Sequence, residues 1–166
     1  NLCVVGDEFI EFLKETQKET YDTLQKKYKE NTDKNILSRL NKEIDSKGLI
    51  HVLRKGFNDV HGGNIKTLFF QSNSSLNPER RKKYLQNKFL LVRQLHYSPN
   101  NNNSIDIVIF INGIPILTIE LKNQLTGQTV DNSDKQYRFD RNPKGEPLLK
   151  FQRCICHFSV DNDKVN

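Results

Sequence analysis

The chain is 166 residues long, enough for a single domain with a sizeable hydrophobic core, or for one domain carrying an added helical segment. Its formal net charge of +6 is compatible with nucleic acid without demanding it. No apolar run approaches the roughly 18 residues that a membrane span needs, so no membrane partner is expected.

The opening residues carry neither the basic nor the apolar stretch of a signal peptide. Methionine is missing throughout, which reads as a piece of a longer protein or as one with its methionines replaced. Of the three cysteines, Cys154 and Cys156 stand two apart on a predicted strand and so share a face, poorly placed to bond each other. All three are expected as reduced thiols in a cytoplasmic protein.

Helical periodicity runs from about Asp7 to Glu30, through Phe9, Ile10, Phe12 and Leu13 to Thr16, Thr20, Leu24 and Tyr28. Asn31-Thr32-Asp33 breaks it and can cap a second helix from about Lys34 to Ser46, whose apolar stripe is Ile36, Leu37, Leu40 and Ile44. Lys47-Gly48 ends that helix, and Leu49 to Arg54 reads as a further helical turn. Gly62-Gly63 is a turn signal, and Lys66 to Gln71 a short strand. After a loop over Ser72 to Leu76, Asn77-Pro78-Glu79 opens a helix that carries Arg80, Arg81, Lys82 and Lys83. Phe89 to Tyr97 is a strand, and the asparagine-rich stretch from Ser98 to Ser104 a loop. Two strands follow, then Leu125-Thr126-Gly127 and a polar helix from about Thr129 to Arg141, which Asn142-Pro143 breaks. Phe151 to Val160 is the last strand. This order predicts an α/β chain of the α+β kind, with helices flanking a central mixed sheet and the final strand joining in parallel through a right-handed crossover.

Chemistry concentrates between Ser104 and Gln124. In Ile105–Ile111 one face is Ile105, Ile107, Ile109 and Ile111, and the other is Asp106, Val108 and Phe110. Both faces are largely apolar, as in a central strand. In Ile116–Lys122, Glu120 and Lys122 share a face by the period of two. Charge inside such strands is costly unless paired or bound to a metal. Whether Asp106 joins the other two depends on the turn. A two-residue Asn112-Gly113 loop pairs Ile111 with Ile114 and Asp106 with Ile119, which sends Glu120 to the opposite face. A three-residue loop, or a bulge that restores the register, sets Asp106 against Glu120. We expect the three-residue loop, with Gly113 at positive φ. On one face, Asp106 and Glu120 would hold Mg2+, aided by a backbone carbonyl near Leu121 and by water. Lys122 would position the attacking water or offset charge on a phosphate. The competing reading is a buried salt bridge between these carboxylates and the lysine; strand placement alone does not separate the two.

Ile105-Asp106 followed by Glu120-Leu121-Lys122 resembles the PD-(D/E)XK nuclease motif. The longer string from Asp106 through Asn112-Gly113-Ile114-Pro115 to Glu120-Leu121-Lys122-Asn123-Gln124 resembles, more specifically, the N-terminal nuclease domain of the R subunit of type I restriction enzymes. Leu53-Arg54-Lys55-Gly56, Leu76-Asn77-Pro78-Glu79, Arg93-Gln94-Leu95-His96-Tyr97-Ser98, Gln136-Tyr137-Arg138 and His157-Phe158-Ser159-Val160-Asp161 extend the likeness over most of the chain.

The resemblance implies a restriction-endonuclease-like core over residues 61–166, with an N-terminal helical segment over 1–60 packed on it. It implies Mg2+-dependent cleavage of double-stranded DNA, coupled to ATP-driven translocation. No Gly-x-x-x-x-Gly-Lys-Ser/Thr occurs, so the ATP-binding motor is expected beyond residue 166. Methyltransferase and specificity subunits are the implied protein partners, and a bacterial or archaeal cytoplasm the implied setting. Asp106, Glu120 and Lys122 match the catalytic triad, and Gln136 matches the glutamine of a Gln-to-Tyr motif. Four residues on, where the motif has tyrosine, stands Asp140, with Tyr137 adjacent instead. A further acid on an early helix, common in nucleases of this fold, has no match.

Two rival readings stay open: a nuclease-fold module that binds DNA or partner subunits without cutting, and a self-contained resolvase-like nuclease. Arg80–Lys83 reads first as a solvated helix face and second as a phosphate contact. Arg93 and Gln94 fall on opposite faces of their strand, so at most one points at a site. Cys154, Cys156 and His157 lack a second pair at zinc spacing and read as core. His51, His61 and His96 read as surface or hydrogen-bonded residues.

Overall fold

The computed structural model describes residues 3–71, 77–98, 101–123, 129–140 and 145–166. The N-terminal third is helical: α1 (Gly6–Thr16), α2 (Lys18–Tyr28), α3 (Thr32–Lys47) and α4 (Leu49–Lys55). The single helix expected over residues 7–30 is therefore two. Gln17 leaves helical geometry at φ −142°, and its side-chain amide exchanges two 2.8 Å hydrogen bonds with the backbone N–H and carbonyl of Lys66. That amide takes the partner role a strand would otherwise fill, and the strand expected over Lys66 to Gln71 does not form. A hairpin just before it, β1 (Phe57–Asp59) with β2 (Gly63–Ile65), takes its place. The apolar stripes of the helices, among them Phe9, Phe12, Leu24, Leu40 and Val52, close on Phe57, Ile65, Ile111 and Ile114 as one buried cluster. Each such side chain contributes about 1.5–3 kcal/mol by leaving water.

The C-terminal part holds α5 (Pro78–Leu85), β3 (Phe89–His96), β4 (Ser104–Ile111), β5 (Ile114–Leu121), α6 (Val130–Lys135) and β6 (Cys156–Val160). Pro78 begins α5 and the Asn77 side chain accepts from the Arg80 N–H, as its sequence predicts. The sheet order is β3-β4-β5-β6; the first three strands are antiparallel, and β6 runs parallel to β5 as expected. On the face that carries Asp106, Val108 and Phe110 pack with Tyr97, Leu148 and Cys154.

Two expected elements differ from what the sequence suggests. The last strand begins at Cys156, not Phe151, because Gln152 and Arg153 are tied to the helices. Arg153 is 4% exposed, with its guanidinium on Asn41 and Asp45, and the Leu49 N–H donates to the Gln152 carbonyl. The helix expected from Thr129 to Arg141 is α-helical only to Lys135 and continues as a π-helix over Gln136–Asp140. The loops and turns expected over residues 72–76, 125–127 and 142–143 lie outside the described residues.

Candidate active site

The β4–β5 hairpin decides which charged residues meet. Its loop is two residues, Asn112 and Gly113, both at positive φ (49° and 75°), the conformation that a tight Asn-Gly turn favours. The three-residue loop expected from the sequence does not form. The ladder runs Ile111 to Ile114 and Phe110 to Pro115, then jumps to Ile109 opposite Leu117, leaving Ile116 as a bulge. Pro115 has no N–H to give the ladder, which places the irregularity here. The Ile116 carbonyl instead accepts from the Ile155 N–H at 2.7 Å. The bulge restores the register that the loop was expected to provide. The last ladder pair is Ile107 with Ile119, and by the period of two this register sets Asp106 and Glu120 on one face, each one step beyond it.

The turn is itself fixed from outside. The Gly113 carbonyl accepts from the Val5 N–H at 2.8 Å, and a Cβ on Gly113 would lie 2.3 Å from the Val5 carbonyl oxygen. Only glycine allows both the φ and this approach of α1. Asn112 is wholly buried; its amide donates to the Thr67 carbonyl and Asn87 Oδ1, both at 3.0 Å, and accepts from the Lys88 N–H at 2.8 Å.

At the other end of the hairpin, the half-buried Asp106 is held on both carboxylate oxygens. The Leu121 N–H donates to Oδ2 at 2.7 Å and Gln94 Nε2 donates to Oδ1 at 2.6 Å. Glu120 is 4% exposed, between β4 and β6, and pairs with Ser159. The Lys122 N–H donates to the Val160 carbonyl at 2.8 Å, so the backbone stays in the ladder one residue past β5. The period of two then places Lys122 on the side of Glu120.

A polar cluster lies next along the same face. The buried Thr118 hydroxyl is 2.9 Å from the Tyr137 hydroxyl and 2.6 Å from His157 Nδ1, and the two rings are 5.4 Å apart. His157 is exposed and on this face, not in the core with Cys154 as its sequence suggests. The parallel pairing of Thr118 with His157, two residues before Glu120, is what places it; nothing short of the strand register carries that signal. Gln136 begins the π-helix, and its amide oxygen is buried with no hydrogen-bond partner among the described residues. The hydroxyl reaching the sheet comes from the adjacent Tyr137, not from the position four residues on. Among the described residues no group of three or more His, Cys, Asp and Glu side chains gathers as a ligand set. The residue that the sequence most undervalues is Gln94, which reaches Asp106 from β3.

A four-stranded mixed sheet with helices, whose central hairpin sets an aspartate opposite a glutamate and a lysine two residues on, is a nuclease-like α+β arrangement. Residues 7–165 match the family described as type I restriction enzyme R protein N terminus, and the chain belongs to that family. No curated protein and no solved structure matches it. Membership gives the chain a nuclease role in a restriction system. Among the described residues no helix is long and apolar enough to cross a membrane.

Proposed function

We propose that this chain makes the double-strand cut of a type I restriction enzyme, by Mg2+-dependent hydrolysis of DNA phosphodiesters with Asp106 and Glu120 as the metal ligands. The observation that carries the reading is the Ile116 bulge, which sets the β4–β5 register at Ile107 opposite Ile119; continued by the period of two, that register puts Asp106, Glu120 and Lys122 on one face. The donor set suits the ion. Mg2+ is usually held by one or two carboxylates and completes its shell with water and substrate phosphate, so a two-acid site needs no third protein ligand. The orphaned Gln136 amide oxygen fits as well, since a buried acceptor without a partner is costly until something completes it.

When bound, Mg2+ polarises a phosphoryl oxygen and makes water a stronger nucleophile. In the proposed mechanism Asp106 and Glu120 would hold the ion. Lys122 sets a positive charge where negative charge grows on the phosphate during the displacement. Gln136 orients water through its free amide oxygen. The chain's net positive charge favours approach of DNA. ATP belongs to the motor of the whole R subunit and drives translocation, not this chemistry.

The test is plasmid restriction by the whole R subunit assembled with its methyltransferase and specificity subunits, with ATP and Mg2+ present. The parent linearises a plasmid that carries the recognition sites. Asp106→Ala and Lys122→Ala lower the rate of cutting by at least about 100-fold, the scale of losing one element of charge stabilisation, while ATP hydrolysis continues. Linearisation at the parental rate by both variants would overturn the proposal.

A further inference from the structure

Gln94 stands in β3 where the ladder breaks. Val92 pairs with Val108, Arg93 with Ile107 and Leu95 with Ile105, but the Gln94 step between them is missing. Its φ is +50°, a conformation that a long side chain adopts only at a cost. The side chain is exposed, so its packing does not repay that cost. Its hydrogen bonds are specific instead. Gln94 Oε1 accepts from the Ser104 hydroxyl at 3.1 Å while Nε2 donates to Asp106 Oδ1 at 2.6 Å. The amide is therefore oriented by one neighbour and orients the other.

Across the hairpin, the Leu121 N–H holds Oδ2 of the same carboxylate. Asp106 is gripped from β3 on one oxygen and from β5 on the other. An ionised carboxylate has about four acceptor positions, so each oxygen keeps one for a cation. A carboxylate turned in advance does not have to lose its rotation when the ion arrives.

We infer that Gln94 is a positioning residue of the site: its amide, braced on Ser104, fixes the Asp106 carboxylate in the orientation that receives the metal ion. The inference rests on the reading of Asp106 as a metal ligand. Strained backbone in mid-strand is then the condition for bringing this amide over Asp106, and its cost is met at the site and not in the fold.

The experiment is a Mn2+ titration of the chain, followed by the electron paramagnetic resonance of free Mn2+, together with its thermal midpoint. Parent, Gln94→Ala, Gln94→Gly and Asp106→Ala are compared. Glycine accepts positive φ and removes the exposed side chain with its amide, so Gln94→Gly separates positioning from backbone strain. The expected result is a Kd raised about 10-fold or more in both Gln94 variants, the usual scale for losing an outer-shell partner. The midpoint of Gln94→Gly stays at or above that of the parent, and Asp106→Ala binds no Mn2+. Parental Mn2+ affinity in both Gln94 variants, with or without a lower midpoint, overturns the inference and leaves the reading of Asp106 standing. A parent that binds no Mn2+, or an Asp106→Ala that binds as the parent does, removes the reading of Asp106 and the inference with it.

Discussion

Asn112 has a larger structural role than a turn residue usually carries. Its amide joins the segment after β2, the end of α5 and the start of β3 to the hairpin that carries the acids. Replacing it with glycine keeps the left-handed backbone and removes the side chain, which leaves the Lys88 N–H and the Thr67 carbonyl without these partners. Orphaning buried groups of this kind costs about 1–3 kcal/mol each, and water entering the gap recovers part of it. Asn112→Gly is therefore expected to lower stability by about 2–3 kcal/mol in urea unfolding; an unchanged midpoint would show that the network contributes nothing. The Asn-Gly pair is legible as a turn from sequence because its φ preference is local. Its partners are not legible, since Thr67 and Asn87 lie 45 and 25 residues away and nothing local selects them.

Among the elements, β5 is decisive: of the two routes to this register that the sequence offered, a three-residue loop and a bulge, it takes the bulge. The alternation of Glu120 and Lys122 was readable from the sequence, as was the need for Asp106 to face Glu120. The choice between the two routes was not, because a three-residue loop and a two-residue loop with a bulge give the same pairing beyond it. Pro115 was the local clue, a residue with no N–H inside an otherwise regular strand. The account predicts opposite results for two one-residue changes. Deleting Ile116 removes the surplus residue and leaves Asp106 opposite Glu120, so Mn2+ binding persists. Inserting an alanine between Pro115 and Ile116 adds a second surplus residue and turns Glu120 and Lys122 away from Asp106, so binding is lost. Equal Mn2+ affinity in the two variants would contradict the register argument. Elsewhere, α3, α4, α5 and β3 were legible because their apolar spacing or caps are local. The break at Gln17 and the late start of β6 were not, since each depends on a distant partner: Lys66 for Gln17, and α3 and α4 for the turn before β6.

At the scale of the molecule, the N-terminal helices and the acids sit at opposite ends of the central hairpin. The helical cluster takes in Ile111 and Ile114 beside the turn, whereas Asp106 is five residues away along β4, about 17 Å at the rise of a strand. The basic helix α5 leads into β3 at Phe89, again the end away from Gln94 and Asp106. That placement favours reading Arg80, Arg81 and Lys82 as a solvated face, not as part of the site. Mixed-sheet architecture was legible in the order of elements, and the family in the string around Asp106 and Glu120. The contributions of Gln94, Thr118 and His157 emerge only when the four strands are set side by side. The most direct test of the central claim is calorimetric titration of Mn2+ into the chain and into Asp106→Ala. One saturable site is expected in the parent and none in the variant. Binding that survives in Asp106→Ala, or no binding in the parent, would contradict a metal site built on the Asp106–Glu120 pair.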